Sequence, residues 1–364
     1  MKLKIFTDLA LIHEGYPIEL LIPFVGVFNE EDKPGKLMSS RFDEYVVKGK
    51  EFLELTDNLE EAHVAILPIY YELIGDVAAF EKVIEPFIKK VGLSNKKIIV
   101  FAGHDVSNPR IKIKNSIIFN SAINKSSKPE NTYPFPHFFE DFIKQYHQNK
   151  YVAKIKGQIP VVGFCGYAPP LGLTLSKAKI IGSLKLVANY VGLIKKFPGK
   201  ASHSYRARAI LGLLNSKIIK TNLRLKANFA FGPEGQLNTG KTTQTDEDFR
   251  KSFVNNILES DYTLCVRGIG NNSIRFYESL CCGRIPVFVN TDCALPFDFL
   301  IDWKNLCVWV EEKDIDNIDK IVWEFHQKIS NEEFIELQKK LRSLWEEYFS
   351  PVGFFKNLHL FLNN

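Results

Sequence analysis

Arg267, Arg275 and Glu278 stand around a turn-forming loop, and their residue types suit a ligand that carries both phosphate and hydroxyl groups. A guanidinium presents a planar fork of N–H donors that matches phosphate oxygens two at a time. A carboxylate repels phosphate and accepts from hydroxyls, so Glu278, one helical turn beyond Arg275 on the same face, is placed to hold a ribose. The intervening residues supply the frame. Leu264 to Val266 form an apolar run that reads as a strand, and Gly268, Gly270, Asn271 and Asn272 break it with residues that accept tight turns. From Ser273 the apolar positions Ile274, Tyr277, Leu280 and Cys281 recur at helical spacing, with Asn272 or Ser273 as N-cap and Gly283 where a C′ glycine belongs. Ile285 to Val289 then reads as a strand opened by Pro286. A helix of about ten residues in this frame turns free N–H groups and a positive dipole toward the loop, which favours an anion. Residue types alone leave the plainer alternative open, an exposed i,i+3 ion pair between Arg275 and Glu278.

The stretch from Thr263 to Asn305 resembles the C-terminal signature of the exostosin family of glycosyltransferases. The matching parts are Arg267-Gly268, Ser273 to Glu278, Gly283 to Val287, Leu295 to Phe297 and Asp302-Trp303, with weaker echoes in Val64 to Glu72, Ile98 to Ser107 and Val161 to Ala168. The resemblance implies an inverting, sugar-nucleotide-dependent transferase of α/β class, with two Rossmann-like domains facing across a cleft in the arrangement called GT-B. It also implies a C-terminal helix that crosses back to the first domain. The expected organisation is an acceptor domain over 1–150, a nucleotide-sugar donor domain over 151–335, and C-terminal helices over 336–364 that pack on the first domain.

The donor contacts that follow are Arg267, Gly268, Asn271, Asn272, Ser273, Arg275 and Glu278, joined by Gly163, Gly166 and Lys241 from earlier in the chain. Gly163, Cys165 and Gly166 read as a sharp turn that brings backbone close to the ligand. An inverting transfer needs one base for the acceptor hydroxyl, and His104, Asp105, His13 and Glu72 lie at or near predicted strand ends of the first domain. No cofactor or metal is expected, because helix dipoles and basic side chains neutralise the leaving diphosphate in GT-B enzymes. The partners implied are a nucleotide-sugar donor, a UDP-sugar first among them, and a hydroxyl of a glycan or polysaccharide. A fucosyltransferase-like enzyme using a GDP-sugar and a non-catalytic glycan-binding protein are the alternatives.

Composition sets the limits on other classes. A chain of 364 residues suggests two domains. The formal charge of +5 is too small and too dispersed to suggest a nucleic-acid partner. No long apolar run suggests an integral membrane segment, and MKLKIFTD leads straight into a first strand, so a cytoplasmic enzyme is expected, unlike family members with a Golgi anchor. The six cysteines, at positions 165, 265, 281, 282, 293 and 307, sit in apolar contexts and read as core residues of a reducing compartment. Oligomeric state has no signal in the sequence.

The positioning elements follow from periodicity. Strands are expected at Leu3 to Phe6, Val64 to Pro68, Ile98 to Phe101, Ile117 to Phe119, Ile159 to Phe164, Leu225 to Phe231 and Val308 to Val310. Helices are expected at Asp43 to Leu59, Val77 to Lys90, His137 to Asn149, Leu171 to Lys196, Tyr205 to Leu214 and Asp246 to Glu259. The tail from Asn317 reads as helical with a break at Ser350-Pro351, and Trp345, Tyr348, Phe349, Phe354 and Phe355 form an aromatic face suited to docking. Pro129 to Pro136 reads as a proline-broken loop.

Two motifs compete with this reading. Gly235 to Thr242, GQLNTGKT, matches the phosphate-loop pattern of a nucleotidase. Its helix starts at Thr245 or Asp246 rather than at the lysine, and four fixed positions recur by chance in roughly 1% of chains this long. Asp246 to Asp248 and Asp314 to Asp316 are D-x-D triplets, better explained as acidic helix starts than as metal ligands.

Overall fold

The computed structural model of the chain describes residues 2–29, 32–33, 36, 39–73, 75–103, 106–109, 111–168, 202–226 and 246–362. It divides into two compact units, one of Met1–Asp141, Asp292–Asp298 and Leu344–Asn364, the other of Phe142–Thr291 and Phe299–Ser343. Each is built on a parallel sheet, as expected of two Rossmann-like domains.

In the first unit, β1 (Leu3–Phe6), β2 (Leu53–Thr56), β3 (Val64–Ile66), β4 (Ile98–Ala102), β5 (Ser116–Asn120) and β6 (Thr132–Pro134) pair in the order β2-β1-β3-β4-β5-β6. Every pairing is parallel. The inner strands β3, β4 and β5 are buried along their whole length, which is why they read as unbroken apolar runs. A parallel neighbour requires a crossover, and the helix Val77–Leu93 supplies one between β3 and β4. Asp76 caps it by accepting from the Ala79 N–H at 3.0 Å, and Phe87 stacks on Phe6 with ring centroids 6.0 Å apart.

Three expectations fail, two at edges of this sheet and one where the first unit gives way to the second. The helix that begins at Asp43 stops at Phe52, because Leu53–Thr56 leaves it to pair in parallel with β1. Pro129 to Pro136 contains the strand β6, and its proline is tolerated because this strand ends the sheet order. Of the helix expected over His137 to Asn149, only Phe142–Tyr146 forms.

The C-terminal aromatic face packs within the first unit. Phe354 meets Phe119, Phe135 and Phe138 at centroid distances of 5.6, 5.3 and 6.0 Å, and Phe355 stacks on Tyr45 at 4.8 Å. Burying one such ring contributes about 1.5–3 kcal/mol. The break falls where the sequence places it: Ser350 caps the helix Pro351–Lys356 by accepting from the Gly353 N–H at 3.0 Å. Asp292–Asp298 joins this unit through the Asp292 carboxylate, which accepts from the Ser126 N–H and hydroxyl at 2.9 and 2.6 Å.

In the second unit, β7 (Val161–Tyr167), β8 (Lys220–Lys226), β9 (Tyr262–Cys265), β10 (Ile285–Asn290) and β11 (Val308–Glu311) pair in the order β11-β10-β9-β7-β8, again all parallel. The helices Ser202–Leu214, Asp246–Glu259, Ile274–Cys281, Ile318–Lys328 and Asn331–Leu344 accompany it. Two more corrections belong here. The strand begins earlier than expected, at Lys220 rather than Leu225, and runs to Lys226, while residues 227–231 of the expected strand lie outside the described residues; Lys220, Arg224 and Lys226 suit the end of the sheet order. No sharp turn occurs at Gly163 to Gly166, because β7 runs through all of these residues and pairs with β8 from Val161 to Tyr167. The helix expected over Leu171 to Lys196 and the GQLNTGKT motif lie outside the described residues. All six cysteines are free and buried.

Candidate nucleotide-diphosphate site

The helix Ile274–Cys281 is set by its ends. Ser273 occupies the N-cap position with extended backbone, though its side chain makes no capping bond. At the other end the Gly283 N–H donates to the Leu280 carbonyl at 2.9 Å and the Arg284 N–H to the Ser279 carbonyl at 2.8 Å, with Gly283 at φ +57°. That pair of bonds around a left-handed glycine is a Schellman cap. The loop ahead of the helix is closed by the Gly268 N–H on the Asn272 carbonyl at 3.0 Å. Asn271 is fully buried and exchanges two hydrogen bonds with Thr291, donating to its carbonyl at 2.9 Å and accepting from its hydroxyl at 2.8 Å. This asparagine therefore anchors the loop to the end of β10. Nothing among the described residues lies within 4 Å of a Cβ added to Gly268.

Arg275 and Glu278 do form an ion pair, but a buried one. Nε of Arg275 donates to Oε2 of Glu278 at 2.9 Å, with side-chain exposures of 15% and 6%. Nη2 of Arg275 donates to the Cys165 carbonyl at 2.6 Å, and Nη1, also buried, has no hydrogen-bond partner among the described residues. On its other side Glu278 has Arg250, with Oε1 3.8 Å from Nη1. One carboxylate thus lies between two guanidiniums.

Aromatic rings separate the cations. The Arg275 guanidinium lies 4.3 Å from the Phe253 ring centroid and 5.2 Å from that of Phe164. Arg250 lies 5.3 Å from Phe253 and 4.8 Å from Phe142. Arg206, from the helix Ser202–Leu214, lies 5.8 Å from Phe164. Each guanidinium is attracted to the negative face of a ring, an interaction that strengthens when water is excluded. Arg206 donates to the carbonyls of Tyr167 and Arg267, each at 3.2 Å, and its Nε has no partner among the described residues. Burial, and then repulsion from Arg275, bring its pKa down to about 10. An anion placed among these cations would offset their mutual repulsion.

The two glycines of β7 serve this packing. A Cβ on Gly163 would lie 2.2 Å from Oγ of Ser260, so this residue lets the strand approach the chain that follows the helix Asp246–Glu259. Gly166 has φ +155°, and a Cβ there would lie 3.5 Å from Nη2 of Arg275. Of the expected donor contacts, Gly166, Arg275 and Glu278 come together. Arg267 enters through its carbonyl under Arg206, and its Nη2 donates to the Ile269 carbonyl at 3.1 Å. Asn272 and Ser273 are largely buried in the loop, and Lys241 lies outside the described residues. Arg206 and Arg250 stand in no motif of the sequence; the only signal for Arg206 is a second arginine, Arg208, in the helix expected at Tyr205 to Leu214.

His104 and Asp105 also lie outside the described residues. His13 is exposed near the end of the turn Leu9–Glu14. Glu72 lines a cavity of 440 Å³ in the first unit, which His13 does not reach and its neighbour Glu14 does. The D-x-D triplets take helical roles: Asp246 opens its helix, and Asp316 pairs with Arg208 at 2.6 Å, which lowers its pKa. Among the described residues no three His, Cys, Asp or Glu side chains are grouped to hold a metal ion. Among the same residues no helix is long and apolar enough to cross a membrane.

Residues 211–325, which include Arg250, Arg267, Arg275 and Glu278, match the family model of the Exostosin GT47 domain. This part of the chain is similar to the exostosin domain. It is 32% identical over 111 residues to Exostosin-1 of Drosophila melanogaster, covering 29% of this chain and 14% of that protein. It is likewise 32% identical over 114 residues to the Probable glucuronosyltransferase 47 A of Physcomitrium patens, covering 31% of this chain and 23% of that one. The similarity therefore spans less than a quarter of either relative's length. Among solved structures, S. aureus TarM in complex with Fondaparinux, alpha-GlcNAc-glycerol and UDP is similar at 13% identity with a TM-score of 0.34, over 88% of this chain and 53% of that chain. The matched segment holds Arg250, Arg267 and Arg275, and β7 and Arg206 complete the cluster from outside it.

Proposed function

We propose that the chain is an inverting, metal-independent glycosyltransferase of GT-B type. It moves a sugar from a nucleotide-diphosphate donor, a UDP-sugar first among the candidates, to a hydroxyl of a glycan or polysaccharide. The observation that carries this reading is Arg275: a largely buried guanidinium held by Glu278 and Cys165, with one nitrogen unpartnered among the described residues, inside the segment that matches the exostosin model.

In this reading the diphosphate takes the unpartnered donors of Arg275 and Arg206 and the N-terminal end of the helix Ile274–Cys281. Charge develops on the leaving diphosphate during transfer, and donors already fixed around it stabilise that charge without reorganising. Oε2 of Glu278 holds Arg275 in place. Oε1 lies beyond hydrogen-bond distance from Arg250 and keeps lone pairs for a ribose hydroxyl. Gly268, with no described neighbour where its Cβ would be, leaves room for the nucleotide beside the loop. A base drawn from Glu72, His13, His104 or Asp105 takes the acceptor proton, and attack from the face opposite the leaving group inverts the anomeric centre.

The test incubates the protein with UDP- and GDP-sugars, each with and without glycan acceptors. Release of nucleoside diphosphate together with a new linkage of inverted anomeric configuration, read by proton NMR, is the expected result. Retained configuration would overturn the inverting mechanism. Nucleotide binding with no transfer and no donor hydrolysis would make the chain a binder. ATP turnover abolished by Lys241→Ala would replace this reading with a nucleotidase.

A further inference from the structure

We infer that the cavity in the first unit is a saccharide site selective for uncharged or amine-bearing sugar rings over uronates. The cavity measures 440 Å³, room for one or two sugar rings and within the usual range for small-ligand sites.

Its walls combine the two surfaces that a sugar presents to a protein. A pyranose has a C–H face that packs on aromatic rings and a rim of hydroxyls that donate to carboxylates. Tyr70 lies in the wall with its ring edge-on to Phe101 at 6.4 Å, and a Cβ on Gly103 would lie 2.9 Å from that ring, so the missing side chain lets backbone rest against it. Tyr16 stands at the mouth with 67% of its surface exposed. A large ring left this open beside a cavity is a surface that gains by being covered.

The polar groups set the charge preference. Glu14, Glu19 and Glu72 all line the cavity, against Arg41 and a single histidine, His137. That arginine forms a two-pronged ion pair with Asp32, which is itself buried, and this pairing balances its charge. The Tyr70 hydroxyl donates to Glu19 and fixes its carboxyl, while burial raises the pKa of that carboxyl. A uronate placed against this wall meets the carboxylates of Glu14 and Glu72, whereas a neutral ring offers hydroxyl donors and an amino sugar adds a cation. The grouping offers no metal site, and a phosphate is disfavoured as a uronate is. The inference rests on the glycosyl-transfer reading only in calling the bound sugar an acceptor.

The experiment titrates the full chain with methyl glycosides of the gluco, galacto and manno series, each as neutral sugar, amino sugar and uronate, read by saturation-transfer NMR and calorimetry. At least one series should bind with the neutral or amino member tenfold or more tighter than its uronate. Tyr16→Ala, an exposed position, should weaken that binding about tenfold. Glu14→Lys, also exposed, should remove most of the discrimination against the uronate. The assignment is overturned if no glycoside binds, if the uronate binds as well as the neutral ring, or if both variants leave binding unchanged. Nucleoside diphosphate binding is measured in the same samples, so a protein that takes the nucleotide and no glycoside overturns the cavity's role and leaves the donor site standing.

Discussion

Arg275 and Glu278 face each other one helical turn apart, Nε to Oε2 at 2.9 Å, and burial turns this local pair into part of the site's frame. An exposed pair of this kind contributes little, because water and salt screen it. Here the carboxylate is 4% exposed and also approaches Arg250, so it positions two cations that belong to different helices. Removing it leaves those cations buried without a counter-charge.

Glu278→Gln tests whether this residue also touches the nucleotide. The amide keeps the shape but replaces the charge and one acceptor oxygen. Affinity for nucleoside diphosphate should fall by roughly 1–3 kcal/mol, while inorganic pyrophosphate binds as well or better. The double difference cancels any general loss of stability. Equal weakening of both ligands by calorimetry would leave Glu278 with the positioning role alone.

Gly283→Ala probes the Schellman cap. An L residue at φ +57° costs about 1–2 kcal/mol in the backbone, and the new Cβ would lie 2.5 Å from the Tyr151 hydroxyl oxygen. Chemical denaturation should show a loss above the backbone figure, and the Tyr151→Ala background should reduce it to that figure. A fully stable Gly283→Ala protein would contradict the cap.

His326 gives stability a pH dependence. It is fully buried, with Nδ1 2.8 Å from the Tyr262 hydroxyl and Nε2 2.8 Å from the Gly157 carbonyl. These partners fit a neutral ring that accepts from tyrosine and donates to the carbonyl. Burial lowers its pKa from 6.5, with Lys156 opposing protonation and the Gly157 carbonyl and Asp261 favouring it. The unfolded chain therefore takes up a proton near pH 6.5 that the folded chain refuses, and stability falls as pH drops below that value toward the folded pKa. Denaturation midpoints measured from about pH 7.5 to about pH 5.5 should decline more steeply for the native chain than for His326→Gln. Identical slopes would assign the dependence to other groups.

What the sequence revealed and what it hid follow one physical distinction. The helix Ile274–Cys281 and its glycine cap were legible because their signals are local: apolar spacing, a stop residue, a strand on each side. The inner strands were legible because burial on both faces leaves an apolar run. Edge strands were not, since Lys220–Lys226 carries charges and Thr132–Pro134 carries a proline, both permitted only where one side has no partner strand. Gly163 and Gly166 read as a turn, yet the small size of Gly163 answers to Ser260 on a distant segment, and Gly166 answers to its own backbone at φ +155°. Arg206 and Arg250 meet the site only through the packing of separate helices on β7, and neither stands in a motif.

The most direct measurement is donor affinity of Arg275→Ala and Arg275→Lys, each shown to be folded by circular dichroism and thermal melting. Loss of the guanidinium should remove a charge-assisted contact of roughly 1.5–3 kcal/mol, a weakening of about ten- to a hundredfold for the nucleoside diphosphate and its sugar conjugate. Lysine should restore only part, because it brings the charge without the fork that also holds Glu278 and the Cys165 carbonyl. Unchanged affinity in a folded Arg275→Ala protein would contradict the placement of the diphosphate on this helix.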